Sequence, residues 1–178
     1  KMGIVVDSLQ DQESPTLAVS RASALFIGGG NTFRLLDALY RGDLLVPIRR
    51  KVEEGMPYLG ASAGSNVACP TIKTTNDMPI VQPPGFAALA LVPFNINPHY
   101  LDPDPSSRHM GETREERIRE FHEMNDPPVV GLREGSMLRI EGKRVRLRGS
   151  SGARLFARGE EAREIVPDSP LDFLLEVS

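Results

Sequence analysis

The sequence predicts a three-layer α/β domain built on a mainly parallel sheet, with an antiparallel part toward its C-terminus. Through the first half, short apolar runs alternate with segments of helical spacing, the pattern of βαβ units. Glycine-rich turns separate those runs from the helices that follow, and the last third reads as short strands joined by turns. With 178 residues, 40% hydrophobic and 25% charged, the chain is long enough for one core and too apolar for disorder, so we read a single domain over residues 1–178.

Residues 3–6 and 24–27 are apolar runs that read as buried strands. Between them Ser14 and Pro15 offer an N-cap and a first-turn proline for a short helix through Ser20. Gly28-Gly29-Gly30-Asn31-Thr32 then forms a turn, and Phe33, Leu35, Leu36 and Leu39 recur at helical spacing. A second helix over 45–54 stops at Gly55, and 57–59 reads as a strand running straight into Gly60-Ala61-Ser62-Ala63-Gly64. Prolines at 70, 79, 83 and 84 predict an irregular surface segment, of the kind that carries binding groups. Residues 91–96 read as a strand ending at Asn97-Pro98-His99. Thr113 and Glu116 make a capping box for a helix that turns Ile118 and Phe121 inward. Strands follow over 129–132, 137–140, 144–147 and 153–157, the middle two joined by a turn at Glu141-Gly142.

A net charge of -3 gives no general attraction to polyanions, which argues against nucleic acid or an acidic membrane as the main partner. The cluster of Arg139, Lys143, Arg144, Arg146 and Arg148 alternates with Leu138, Ile140, Val145 and Leu147, so it reads as the solvated face of strands. The absence of Trp leaves few platforms for base stacking. No run approaches the ~20 apolar residues of a membrane helix, and the start lacks a signal-peptide pattern. One cysteine forms no internal disulfide, so a cytoplasmic, reducing compartment is expected. One Cys and three scattered His show no metal-ligand spacing, and no cofactor or metal is expected.

Gly60-x-Ser62-x-Gly64 between a strand and a helix is the pattern of a nucleophile elbow, in which the glycines allow a sharp turn that lifts the hydroxyl clear of the sheet. It reads equally as a small-residue turn where backbones pass closely. A free hydroxyl is a weak nucleophile and requires a base and a group to orient that base. His109, in a polar loop, and His122, inside a helix, read as surface residues. His99 follows a strand end, the edge where α/β sites collect. Asp77 and Glu134 are both candidates for the orienting carboxylate, and spacing does not choose between them. The N–H groups of the turn at 28–31, including Gly30 and Asn31, suit an anion or the oxyanion of acyl transfer.

Several runs together resemble the peptidase E (α-aspartyl dipeptidase) family. They are Gly28 through Phe33; Ser62-Ala63-Gly64-Ser65-Asn66 leading to Cys69-Pro70-Thr71-Ile72; Thr74 through Ile80; Ile96-Asn97-Pro98-His99; and Gly111-Glu112-Thr113-Arg114-Glu115. The resemblance covers about residues 3–161 and implies a metal-independent serine peptidase that cleaves dipeptides with N-terminal Asp. It also implies a fold similar to class I glutamine amidotransferases. Carried onto matching positions, it makes Ser62 the nucleophile and His99 the general base, with Glu134 the favoured third member and Asp77 its alternative. N–H groups near Gly30 and of Ala63 would form the oxyanion hole, and Arg114 would meet the substrate carboxylate, with Asn31 among the substrate-binding residues. Two departures stand out: Ala61 occupies a position where relatives commonly have Trp, and relatives carry an opening strand–helix–strand segment ahead of residue 1, whose lack would leave a sheet edge open. The rival readings are a cyanophycinase-like hydrolase of β-aspartyl peptides and a non-catalytic amidotransferase-like domain that binds a small anion at residues 28–32.

Overall fold

Local chemistry starts most of the helices. The computed structural model describes residues 3–104, 106 and 111–176. Helix α1 (Pro15–Arg21) begins where the Ser14 hydroxyl accepts the N–H of Leu17. Strand β1 (Leu25–Ile27) follows, then α2 (Thr32–Arg41), capped by the Asn31 side chain on the N–H of Arg34. Helix α3 (Leu45–Glu53) ends just before Gly55, whose φ of +101° terminates it. Strand β2 (Tyr58–Gly60) leads into α4 (Ala63–Ala68), all six residues of which are buried. Next come β3 (Asn95–Pro98), α5 (Arg114–Met124), β4 (Val129–Leu132), β5 (Ser136–Glu141), β6 (Arg144–Gly149), β7 (Ala153–Phe156) and β8 (Arg163–Ile165).

The result is mixed α/β with parallel parts rather than one mainly parallel sheet. β1 and β2 form a parallel pair, and β3 pairs parallel with β4 in a four-stranded sheet of order β3-β4-β7-β8. The β4–β7, β7–β8 and β5–β6 pairings are antiparallel. Helix α4 packs against β1, β2 and β3 and so lies between the two parallel pairs. Val19, Leu25, Leu36, Ile48 and Val67 fill one core cluster, between the first helices and β1. Phe94, Ile96, Val130, Leu147 and Leu155 fill a second, while Tyr100, Ile118, Phe121, Val129 and Phe156 bury one side of α5.

Two strand expectations are corrected, and one strand is unforeseen. Residues 3–6 form no strand, and Val5 and Val6 are each 85% exposed. Among the described residues no strand lies beside them, so their β-forming side chains have neither a ladder nor a sheet face to join. The strand expected over 91–96 sits instead at Asn95–Pro98, because Asn95 and Asn97, which look like turn residues, are buried and bonded: the Asn95 amide donates to Thr71 O (2.8 Å) and that of Asn97 to Thr74 O (2.8 Å). The charged strand β8 adds an antiparallel edge that its composition hides. The basic cluster does lie on the β5–β6 hairpin, where Arg139 pairs with Glu141, Arg146 with Asp172 and Arg148 with Asp168.

Candidate active site

Ser62 is the second of the two residues between β2 and α4 and stands at φ +55° and ψ -111°, a conformation that L side chains rarely adopt. The flanking glycines are required by close approach. A Cβ on Gly64 would stand 2.0 Å from the carbonyl oxygen of Ile27, and one on Gly60 would stand 2.6 Å from that of Gly64. The turn is tied to the end of β1: Ala61 N–H donates to Ile27 O (3.0 Å) and Gly64 N–H to Gly28 O (3.2 Å). Tyr58 and Ser65 close it further, their hydroxyls donating to Gly64 O (2.7 Å) and Gly60 O (3.1 Å). Burial pushes the Tyr58 phenol's pKa well above its ordinary value, keeping it a neutral donor. Ser62 itself is half-buried, and a Cβ at Gly29 would lie 3.7 Å from its Oγ, which sets the glycine turn beside the hydroxyl.

His99 is the first residue after β3 and Glu134 the second after β4, and β3 and β4 run parallel in register, with Pro98 opposite Leu132. The imidazole Nδ1 of His99 is hydrogen-bonded to Oε1 of Glu134. His99 also has positive φ, +55°, and the Asn76 amide donates to the Pro98 carbonyl just before it (3.3 Å). Ser62, His99 and Glu134 therefore all follow the C-terminal ends of parallel strands, the edge of an α/β sheet where binding groups gather.

Asp77 is engaged elsewhere, its Oδ2 accepting the N–H of Thr32 (2.7 Å) at the start of α2. The amide of Asn31 is used at both ends, accepting from Arg34 N–H (3.1 Å) and donating to Met78 O (2.8 Å), so its side chain is a helix cap that ties the 77–80 segment to the glycine turn. Gly30 has φ +135°, and among the described residues neither its N–H nor that of Ala63 donates to a backbone oxygen. Arg114 is the first residue of α5, beyond a capping box in which Thr113 Oγ1 accepts from Glu116 N–H (3.2 Å) and Glu116 accepts from Thr113 N–H (2.6 Å). It is half-buried, and its pKa is lowered by burial first and then by the charge of Arg117, against the favourable field of Asp77. No ion pair holds Arg114 among the described residues. Its guanidinium thus lies in the field of Asp77 without a direct ion pair among the described residues.

Of the other histidines, His109 lies outside the described residues, and His122 is buried rather than on the surface, its Nε2 bonded to Pro127 O (3.1 Å). Cys69 is buried, donating to Ser65 O and accepting from Ile96 N–H, both at 3.2 Å. Its thiol is pushed up to about 12 by burial, so it is inert and joins α4 to β3. Among the described residues no group of three or more His, Cys, Asp or Glu is arranged to hold a metal, and no helix is long and apolar enough to cross a membrane. The arrangement missed from sequence centres on Arg133, which meets Asp102 and Glu164, each 31 residues away, a separation no local pattern reveals.

A hydroxyl on a strained strand–helix turn and an imidazole oriented by a carboxylate at neighbouring strand ends are the parts of a hydrolase that works through a serine nucleophile. Comparison with known proteins agrees. The profile of peptidase family S51 matches residues 1–148, and the chain belongs to that family. It is 58% identical to a peptidase E of Streptomyces coelicolor over 175 residues, 98% of this chain and 72% of that protein. It is 51% identical to the Drosophila melanogaster protein named "Probable alpha-aspartyl dipeptidase", over 98% of this chain and 73% of the other. Among solved structures it is similar to a peptidase E protein from Listeria monocytogenes, with a TM-score of 0.61 and 26% identity over 76% of this chain and 64% of that one. A peptidase from an acI-B1 actinobacterium shares the fold, with a TM-score of 0.65 at 15% identity over 88% of this chain. The match spans under two thirds of each solved chain, 64% and 62%.

Proposed function

We propose that the protein is a serine-type dipeptidase that hydrolyses dipeptides with N-terminal aspartate through an acyl-enzyme. The observation that carries this reading is the His99–Glu134 hydrogen bond beyond the ends of β3 and β4, alongside Ser62 on its elbow beyond the end of β2. In the first half-reaction His99 Nε2 takes the Ser62 proton as Oγ attacks the scissile carbonyl. The C–N bond then breaks, and the imidazolium returns the proton to the leaving amine. Water, deprotonated by the same imidazole, releases the aspartyl group and restores the serine. Glu134 holds Nδ1–H and so fixes the tautomer that leaves Nε2 free to accept. Asp77, whose carboxylate is committed to Thr32, is the less suitable third member. The N–H groups of Gly30 and Ala63 have the free donors that an oxyanion hole needs.

Arg114 is assigned to the aspartate side chain. A cation in a first helical turn opposes the helix dipole, and a carboxylate arriving there relieves both that conflict and the cost of burying an unpaired guanidinium. Asn31 acts by holding the 77–80 segment in place rather than by touching substrate with its amide. A nucleophile at a strand–helix turn in an α/β fold fits the likeness to class I glutamine amidotransferases, and the single buried cysteine fits a reducing, cytoplasmic setting. The names of the relatives, peptidase E and alpha-aspartyl dipeptidase, favour this reading over a β-aspartyl peptide hydrolase or an anion-binding domain. The test is hydrolysis of Asp-Leu against Glu-Leu, Asn-Leu and a β-aspartyl dipeptide, with a sulfonyl fluoride as the label for Ser62. Preference for the β-linked substrate would overturn the specificity, and an unlabelled Ser62 the mechanism.

A further inference from the structure

The His99–Glu134 pair cannot hold itself. The two side chains are 55% and 75% exposed, and ion pairs in that setting contribute little. Each residue also sits in a segment just beyond a strand end, and His99 does so at a positive φ that must be maintained by its surroundings.

Arg133, immediately before Glu134, supplies what the pair lacks. Its guanidinium meets Asp102 with two donors, Nε and Nη2, both at 2.8 Å, and Glu164 of β8 with two, Nη1 at 2.6 Å and Nη2 at 2.9 Å. The side chain is only 21% exposed, and its Cζ lies 5.9 Å from the ring centroid of Tyr100. Tyr100, between His99 and Asp102, is buried. Its N–H donates to Leu132 O (3.1 Å), and its ring lies where a Cβ on Gly131 would stand 2.7 Å away. Arg154 adds a weaker contact to Asp102 (3.7 Å) and a closer one to Glu115 (3.2 Å). One planar cation therefore spans the segment after β3, the segment after β4 and the edge strand β8.

We propose that Arg133 and Asp102 form a positioning pair that locks the His99 segment to the Glu134 segment and so keeps the imidazole bonded to Glu134 in the orientation catalysis requires; this rests on the serine–histidine–glutamate reading above. Two-donor contacts between a guanidinium and a carboxylate restrain orientation as well as distance, which a single ammonium cannot do. The charges support one another: hydrogen bonds from Arg133 lower the pKa of Asp102, and those to Glu164 and Asp102 raise that of Arg133. Neither residue touches substrate in this scheme. Both act through the orientation of His99.

Steady-state kinetics on Asp-Leu test the pair. Arg133→Met should lower kcat about 10- to 100-fold, the cost of a misplaced catalytic group, and slow sulfonyl fluoride labelling of Ser62 by the same factor. KM should stay within about twofold, since ground-state binding is untouched. Arg133→Lys should fall between the two, and Asp102→Asn should match Arg133→Met and serve in its place if that variant does not fold. In a Glu134→Gln background, adding Arg133→Met should cost less than about twofold more, because residues acting through one pair are not additive. Unchanged kcat in a folded Arg133→Met with a lowered melting temperature alone would overturn the proposal, as would fully multiplicative losses with Glu134→Gln. A Ser62→Ala variant that remains active would instead refute the underlying mechanism.

Discussion

Replacing Ser62 by glycine should make the protein more stable than replacing it by alanine, although both variants lose the hydroxyl. The backbone at Ser62 has φ +55° and ψ -111°, the mirror image of an extended conformation. A residue without Cβ adopts it freely, whereas serine or alanine does so at a strain of about 1 to 3 kcal/mol. Alanine keeps that strain. Glycine removes it but adds unfolded-chain freedom, a cost of about 0.5 to 1 kcal/mol. Packing offsets little, since the half-buried Ser62 hydroxyl has no hydrogen bond among the described residues for either variant to lose. The expected net advantage of Ser62→Gly over Ser62→Ala is about 1 kcal/mol, or a melting temperature higher by roughly 2 to 4 °C in a chain of this size. Urea unfolding of the two variants, with equal m-values as the control for two-state behaviour, measures the difference directly. Glycine no more stable than alanine would show that the elbow is unstrained and that its conformation is not maintained against a cost.

The other expectations concern activity and charge. Ser62→Ala should lose on the order of 10⁶ in kcat with the fold intact, measured by turnover of Asp-Leu. Glu134→Gln should cost about 10² to 10⁴ in kcat. Asp77→Ala should mainly lower stability, by about 1 kcal/mol, through the lost acceptor for Thr32 N–H, and the reverse ranking in activity would exchange their roles. Arg114→Met should raise KM for Asp-Leu and narrow its advantage over Asn-Leu by about 2 to 5 kcal/mol, and unchanged discrimination would move the specificity pocket elsewhere. Acid stability should depend on Asp102. Its pKa is lowered in the folded protein, so as pH falls below the ordinary value of 3.8 the unfolded chain takes up the proton first and the contribution is lost through the folded value. The carboxylate is half exposed, which keeps the effect small, and Asp102→Asn should flatten the stability curve in that window.

The parts legible in the sequence are those whose cause is local. The capping box of Thr113 and Glu116, the proline at the start of α1, the glycine stop at Gly55 and the strand at Val129–Leu132 each follow from neighbouring residues, and each appears where expected. Gly60 and Gly64 were readable as an elbow, but the reason they must be glycine, the carbonyls of Gly64 and Ile27, belongs to a partner strand and a turn that only folding brings together. The failures have the same origin. Ile4, Val5 and Val6 carry strand propensity with no strand beside them among the described residues, while Asn95 and Asn97 carry turn propensity but are bonded in a buried network with Thr71, Thr74 and Asn76. His122 reads as a surface residue from its place in a helix and is buried, with Nε2 bonded to Pro127 O.

Site residues divide along the same line. Ser62 could be read from its own pentapeptide, whereas the choice of Glu134 over Asp77 as the partner of His99 depends on β3 and β4 lying side by side, residues 99 and 134 being 35 apart. Two candidate carboxylates with equal local credentials are separated only by where the strands carry them: Asp77 is taken to the start of α2 and Glu134 to the imidazole. Next to Glu134, Arg133 bonds Asp102, three residues beyond His99, and Glu164 of the edge strand, so it joins the two segments that carry the pair. The pairing of His99 with Glu134 rests on where two strand ends are carried, and the residues that join those ends, Arg133 and Asp102, carry no motif of their own.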